Sequence, residues 1–206
     1  MSEVGANDPR VGMADIVINL RKNNVAAARE AVNWTLPKIT DDPGSKMLLG
    51  MTELMLGDIN RAREIYLSSA PGWLEPDQWQ ELLYRFDAHG CVVAWILMNT
   101  GNADLGRQLL RQSTVYLEET LPSAIEHADW HGPEICNLTA GDTDKALHSI
   151  ETQLAHNHLL LWDVFNQLPM YDLIRFEPRY QAAVQERERR IAAQREAIGA
   201  QANRSE

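Results

Sequence analysis

The sequence predicts an all-α protein, about four helical hairpins in tandem closed by a C-terminal capping helix. Three observations carry that reading. Asn24-Val25-Ala26-Ala27-Ala28-Arg29-Glu30 returns 34 residues later as Asp58-Ile59-Asn60-Arg61-Ala62-Arg63-Glu64. A weaker copy starts at Asp142 and runs to Ala146, and a degenerate one runs from Asn102 to Gly106. In each copy a polar turn residue is followed four positions on by a small one, so that a second helix can return close against the first. A period near 34 residues is that of helix–turn–helix repeats.

Residues 1–10 read as a flexible lead. Val11 to Asn23 reads as the first helix, with Val11, Ile16, Val17 and Leu20 at helical spacing. Asn23-Asn24 is the turn, and Val25 to Leu36 is the partner helix, closed by Pro37. Thr40 to Gly44 has strong breaker chemistry, and Ser45 is a good N-cap for a helix over Lys46 to Leu56. Gly57-Asp58 turns the chain into a helix over Ile59 to Ser69, which Pro71-Gly72 ends.

In this second hairpin Leu49-Gly50, Gly57, Ala62 and Tyr66 stand at the spacings of a known pattern. The chain is identified here as resembling the tetratricopeptide repeat superfamily. That resemblance implies a right-handed α-α superhelix, with small side chains at Gly50 and Ala62 for close helix contact. It also implies that the first helix of each hairpin lines a concave groove for a partner peptide or helix.

Glu75 to Thr100 reads as one longer helical stretch, dense in apolar residues from Trp79 to Leu97 and so buried on more than one side. Gly101-Asn102 turns it into a helix over Ala103 to Glu119. Pro122-Ser123 opens the next helix, which Gly132-Pro133 kinks or splits. Gly141-Asp142 then leads into Asp144 to Ala155. Residues 157–180 end the array, with Leu159 to Leu168 expected to cap its open core. Asp172-Leu173-Ile174-Arg175-Phe176-Glu177-Pro178-Arg179-Tyr180 resembles an end-of-array motif. That motif belongs to the tetratricopeptide modules attached to bacterial adenylate cyclases and winged-helix regulators. The organisation is thus a lead over 1–10, a repeat domain over 11–180, and a charged helix and tail over 181–206. Val184, Ile191 and Ile198 recur every seven residues in that last helix. The seam is thin, so a solvated capping helix competes with a coiled-coil homodimer.

Composition narrows the function. The chain has 206 residues, 45% of them hydrophobic, 23% charged, with a formal net charge of −10. An acidic protein lacks the basic footprint that phosphate requires, so no nucleic-acid partner is expected. No run approaches the ~20 apolar residues of a membrane span. The first ten residues lack the basic start and apolar run of a signal peptide, and cytoplasmic placement is expected. Cys91 and Cys136 lie in apolar helical stretches and read as two buried thiols, not as a disulfide framework.

No phosphate loop, nucleophile elbow, paired Cys-x-x-Cys or zinc-protease motif occurs, so the chain reads as non-catalytic, with no cofactor. His127 and His131, four apart on one helix, are the weak metal candidates. Glu126, Asp129, Glu134 and Cys136 are near in sequence, but spacing names no third ligand. His89 and Cys91 are two apart and do not face each other on a helix. The tryptophans are spread along the array as packing residues, with Trp73 or Trp79 the alternative as an exposed partner anchor. The expected function is a protein- or peptide-binding scaffold, with Asn19, Lys46, Glu53, Arg85, His89 and Asn137 as groove residues and a basic or mixed partner segment. The alternative is a small-ligand sensor for a signalling effector, with a pocket opened at Gly132-Pro133. A metal-dependent enzyme on His127 and His131 is more remote.

Overall fold

The structure is a computed structural model that describes residues 8–39, 42–87, 89–120, 132–157 and 162–202. Among the described residues it is helical, with no strand. The α-helices are α1 (Pro9–Arg21), α2 (Val25–Thr35), α3 (Pro43–Met55), α4 (Ile59–Ser69), α5 (Trp79–Phe86) and α6 (His89–Asn99). They continue with α7 (Ala103–Thr120), α8 (Gly132–Ala140), α9 (Thr143–Ala155), α10 (Trp162–Phe165) and α11 (Pro178–Ala202). Helix α1 packs on α2, α3 on α4, α6 on α7 and α8 on α9, so the hairpins expected from the repeat are formed.

The four turns are built alike. The residue before each repeat phrase has left-handed backbone: Asn23 at φ 52°, Gly57 at 83°, Gly101 at 91° and Gly141 at 79°. The next residue, Asn24, Asp58, Asn102 or Asp142, donates its N–H to the carbonyl five positions back, on Asn19, Glu53, Leu97 or Asn137, at 2.8–3.0 Å. This closes the first helix in the Schellman manner, which is why glycine stands at three of the four turns. The side chains of Asn24, Asp58 and Asp142 then cap the second helix by accepting from the N–H three residues on. Ala28, Ala62 and Ala146 are fully buried where the helices touch. At Gly106 an added Cβ would stand 2.7 Å from the Ala94 carbonyl oxygen, so α6 and α7 approach closest there.

Helix starts differ from the sequence reading in two places. Helix α1 begins at Pro9, inside the expected lead, because Asp8 caps it and proline suits a first turn whose N–H groups are unpaired. Helix α3 begins at Pro43, capped by Asp42 and not by Ser45, for the same reason. Gly132-Pro133 opens α8 as a first-turn proline, and the expected helix before it, from Pro122-Ser123, lies outside the described residues.

The expected long helix over 75–100 is two helices. A 3₁₀ turn at Pro76–Gln78 leads into α5, the chain turns at Asp87, and α6 starts at His89. The dense apolar run is buried on several sides by folding α5 back, not by one enclosed rod. A Cβ at Gly90 would meet Leu83 at 2.4 Å and Ser113 at 2.5 Å, so α5 and α7 both press on the start of α6. Trp73 and Trp79 are fully buried at the beginning of this fold-back, and the Trp79 indole N–H donates to the Trp73 carbonyl at 3.0 Å. Neither is an exposed anchor.

The cysteines are also a correction. Cys91 on α6 and Cys136 on α8, 45 positions apart in sequence, form a disulfide with Cα atoms 5.1 Å apart. Their pairing depends on how two hairpins stack, which local pattern does not report.

The segment after α9 links the two ends of the array. Val164 joins Ile16, Leu20, Ala28, Val32, Ile39 and Leu49 in a cluster of its own, and the Gln167 side chain donates to the Leu20 carbonyl at 3.2 Å. Leu168, Met170, Tyr171 and Ile174 belong instead to the main cluster, which runs through α3 to α9. The Tyr171 hydroxyl donates to buried Glu134 on α8 at 3.3 Å. One short stretch thus ties the first hairpin to the fourth. Helix α11 then packs on α9, where the Arg190 guanidinium donates to the Leu154 carbonyl at 2.6 Å, while Tyr180 and Ala183 join the main cluster. Of the seven-residue seam, Val184 packs against the main cluster and Ile191 is half-buried, whereas residues 192–198 are exposed all round, Ile198 to 67%.

Candidate functional site

The six expected groove residues fall into different surroundings. Asn19, Glu53 and Asn137 hold one register position, five before the turn cap, and each carbonyl closes its own turn. Their side chains part company. Glu53 is only 2% exposed and stands 3.4 Å from the Arg29 Nε, while the Arg29 guanidinium also donates to the Leu56 carbonyl at 3.2 Å. Burial raises the Glu53 pKa and Arg29 pulls it back. A carboxylate so enclosed presents nothing to a partner; it joins the first hairpin to the second. Asn137 and Lys46 are half-buried. The His89 Nδ1 lies 2.8 Å from the Tyr66 hydroxyl, and desolvation lowers the imidazole pKa to about 4. Arg85 reaches out, 3.8 Å from Glu81 and 5.3 Å from the Phe86 ring centroid.

Asn19 lines a cleft of about 450 Å³ between α1 and α2, together with Asp15, Glu30 and Trp34. A shift of one 34-residue repeat carries Asp15 and Asn19 onto Leu49 and Glu53, which are buried against the first hairpin. The same face of the first hairpin is polar and open. The arginine of the repeated phrase explains the closure in the second. Arg29 crosses to the next hairpin, and Arg63 does the same, donating to the Asn102 side-chain oxygen at 3.3 Å. Both arginines stand in the repeated phrase, Arg29 in one copy and Arg63 in the other, so this linkage has a sequence signal of its own.

A larger groove of about 820 Å³ runs between α5 and α7. Its lining includes Asp77, Glu81, Tyr84, Val115, Tyr116 and Glu119, over buried Leu83. Tyr84 is 79% exposed and Val115 48%, large apolar surface left to water in one place. Desolvation, with Asp87 and Tyr84 nearby, raises the Tyr116 pKa, so its hydroxyl stays protonated and neutral. Sequence reasoning singled out neither tyrosine. An exposed aromatic and a core aromatic look alike until the packing of α5 on α7 is known.

His127, His131 and Trp130 lie outside the described residues. Among the described residues no three His, Cys, Asp or Glu side chains gather to hold a metal ion, and no helix is long and apolar enough to cross a membrane. With the helical fold and these two clefts in view, no family model, no curated protein and no solved structure matches the chain.

Proposed function

We propose that this chain is a non-catalytic protein-interaction module, a tetratricopeptide-like array whose partner docks in the groove between α5 and α7. The observation that carries the reading is the exposed Tyr84 and Val115 beside acidic Asp77, Glu81 and Glu119. Aromatic side chains with one polar end are favoured anchors at interfaces. In a superhelix of this type the first helices face inward. Here α1 and α8, both first helices, are bridged by the chain's own residues 164–171. That bridge favours a docking surface on the outside of the array. The disulfide suits an oxidising compartment better than the cytoplasm expected from sequence.

Affinity capture from lysate tests the reading, comparing the intact chain with Tyr84→Ala and Val115→Glu. Both positions are exposed, so thermal unfolding should be unchanged. A partner held by the parent chain and lost by both variants supports the module. Retention by all three removes this groove from the account.

The cleft beside Trp34 favours a second reading, a sensor for a small cationic ligand held between Asp15 and Glu30. A thermal-shift screen of amines that moves the parent chain but not Asp15→Asn would support it; a flat screen would end it.

A further inference from the structure

We infer that the α5–α7 groove selects a partner segment carrying arginine, in preference to lysine. This rests on reading the chain as an interaction module, and it names the chemistry of the partner. The groove offers three things together. Tyr84 and Tyr116 supply aromatic surface, Leu83 and Val115 an apolar floor and wall, and Asp77, Glu81 and Glu119 carboxylates. A guanidinium uses all three. Its plane stacks on an aromatic ring, its fork donates two parallel hydrogen bonds to a carboxylate, and its methylene stem lies on apolar surface. An ammonium is a compact, strongly hydrated point charge that neither stacks nor forks. Phosphate and acidic segments are repelled by the same carboxylates.

The molecule already shows this chemistry at the rim. The Arg85 guanidinium stands 5.3 Å from the Phe86 ring centroid and 3.8 Å from Glu81, both ends of it partly in water. Arg85 is therefore a resident competitor for Glu81, and a partner arginine would displace it. From Gln112 to Glu119 the α7 wall runs roughly 10 Å, the length of three or four extended residues. The segment is short, with one arginine in the groove and neighbours passing over Val115.

Fluorescence anisotropy on the full chain tests the inference, with three labelled nine-residue peptides at physiological salt. Each has a Gly-Ser background and three arginines, three lysines or three glutamates. The arginine peptide should bind roughly fivefold or more tighter than the lysine peptide. Tyr84→Ala should lose most of that difference, as should Glu81→Gln with Glu119→Gln. Arg85→Ala should tighten binding about two- to threefold, by freeing Glu81. Equal binding of the arginine and lysine peptides, indifferent to Tyr84→Ala, would reduce the effect to diffuse attraction by an acidic protein and overturn the inference. So would no binding of the arginine peptide. In either case, a partner captured through Tyr84 would leave the module reading standing. Loss of both would end both.

Discussion

The C-terminal half of this molecule and its first hairpin are held in different ways. The half from α6 onward is cross-linked by Cys91–Cys136, shares the main core, and is covered at its end by α11. There Arg179 spans from α11 to α9, with Nε and Nη2 on Glu151 at 2.9 Å each and Nη1 on Asp144 at 3.2 Å. The first hairpin has its own small cluster, to which Val164 contributes from the far end, and a polar outer face. The same repeat unit thus serves as a sealed interior and as an open end, according to what lies against it. Asp15 and Asn19 keep the outer face of the first hairpin polar, where one repeat on Leu49 and Glu53 are buried.

The largest way to break this contrast is to cut the cross-link. Cys91→Ser with Cys136→Ser should cost about 3–4 kcal/mol, since the bond closes a loop across 45 residues. Chemical denaturation measures the loss, and amide exchange should show it in α6 to α9 more than in α1 and α2. Equal loss in both regions would mean that the array unfolds as one unit.

Acid should act on the main core before it acts on the first hairpin. His89 is held neutral with its pKa lowered to about 4 from an ordinary 6.5. The unfolded chain therefore takes up this proton first, and stability falls as pH drops from about 6.5 to 4. The expected loss is about 3 kcal/mol. His89→Gln keeps a polar partner for Tyr66 and should flatten that part of the pH–stability curve. An unchanged curve would place the imidazole in water.

Val164→Ala should cost about 1 kcal/mol, and should loosen the first hairpin in amide exchange while leaving α8 and α9 as they were. The smallest effects belong to the surface. Arg179→Ala should cost under about 1 kcal/mol and less in high salt, because its ion pairs are partly exposed. Glu30→Gln on the open face should change stability by less than about 0.5 kcal/mol. A larger change there would mean that the polar end face contributes to folding.

The sequence by itself determined the hairpins. Turn closure acts over five residues, capping over three, and helical packing of a small residue over one repeat, so Gly57, Asp58 and Ala62 carry their own instructions. Those signals placed all four turns and the buried alanines. Only the tertiary structure decided the rest. The fold-back at Asp87 has no proline or glycine at the turn itself and follows from Leu83 and Ser113 closing on Gly90. The disulfide joins residues 45 apart, the Gln167–Leu20 bond residues 147 apart, and the tyrosine groove needs α5 against α7. Each depends on which surfaces meet after the hairpins have formed. Apolar attraction has no direction and marks no partner in the sequence, so one helix carries no record of what will cover it.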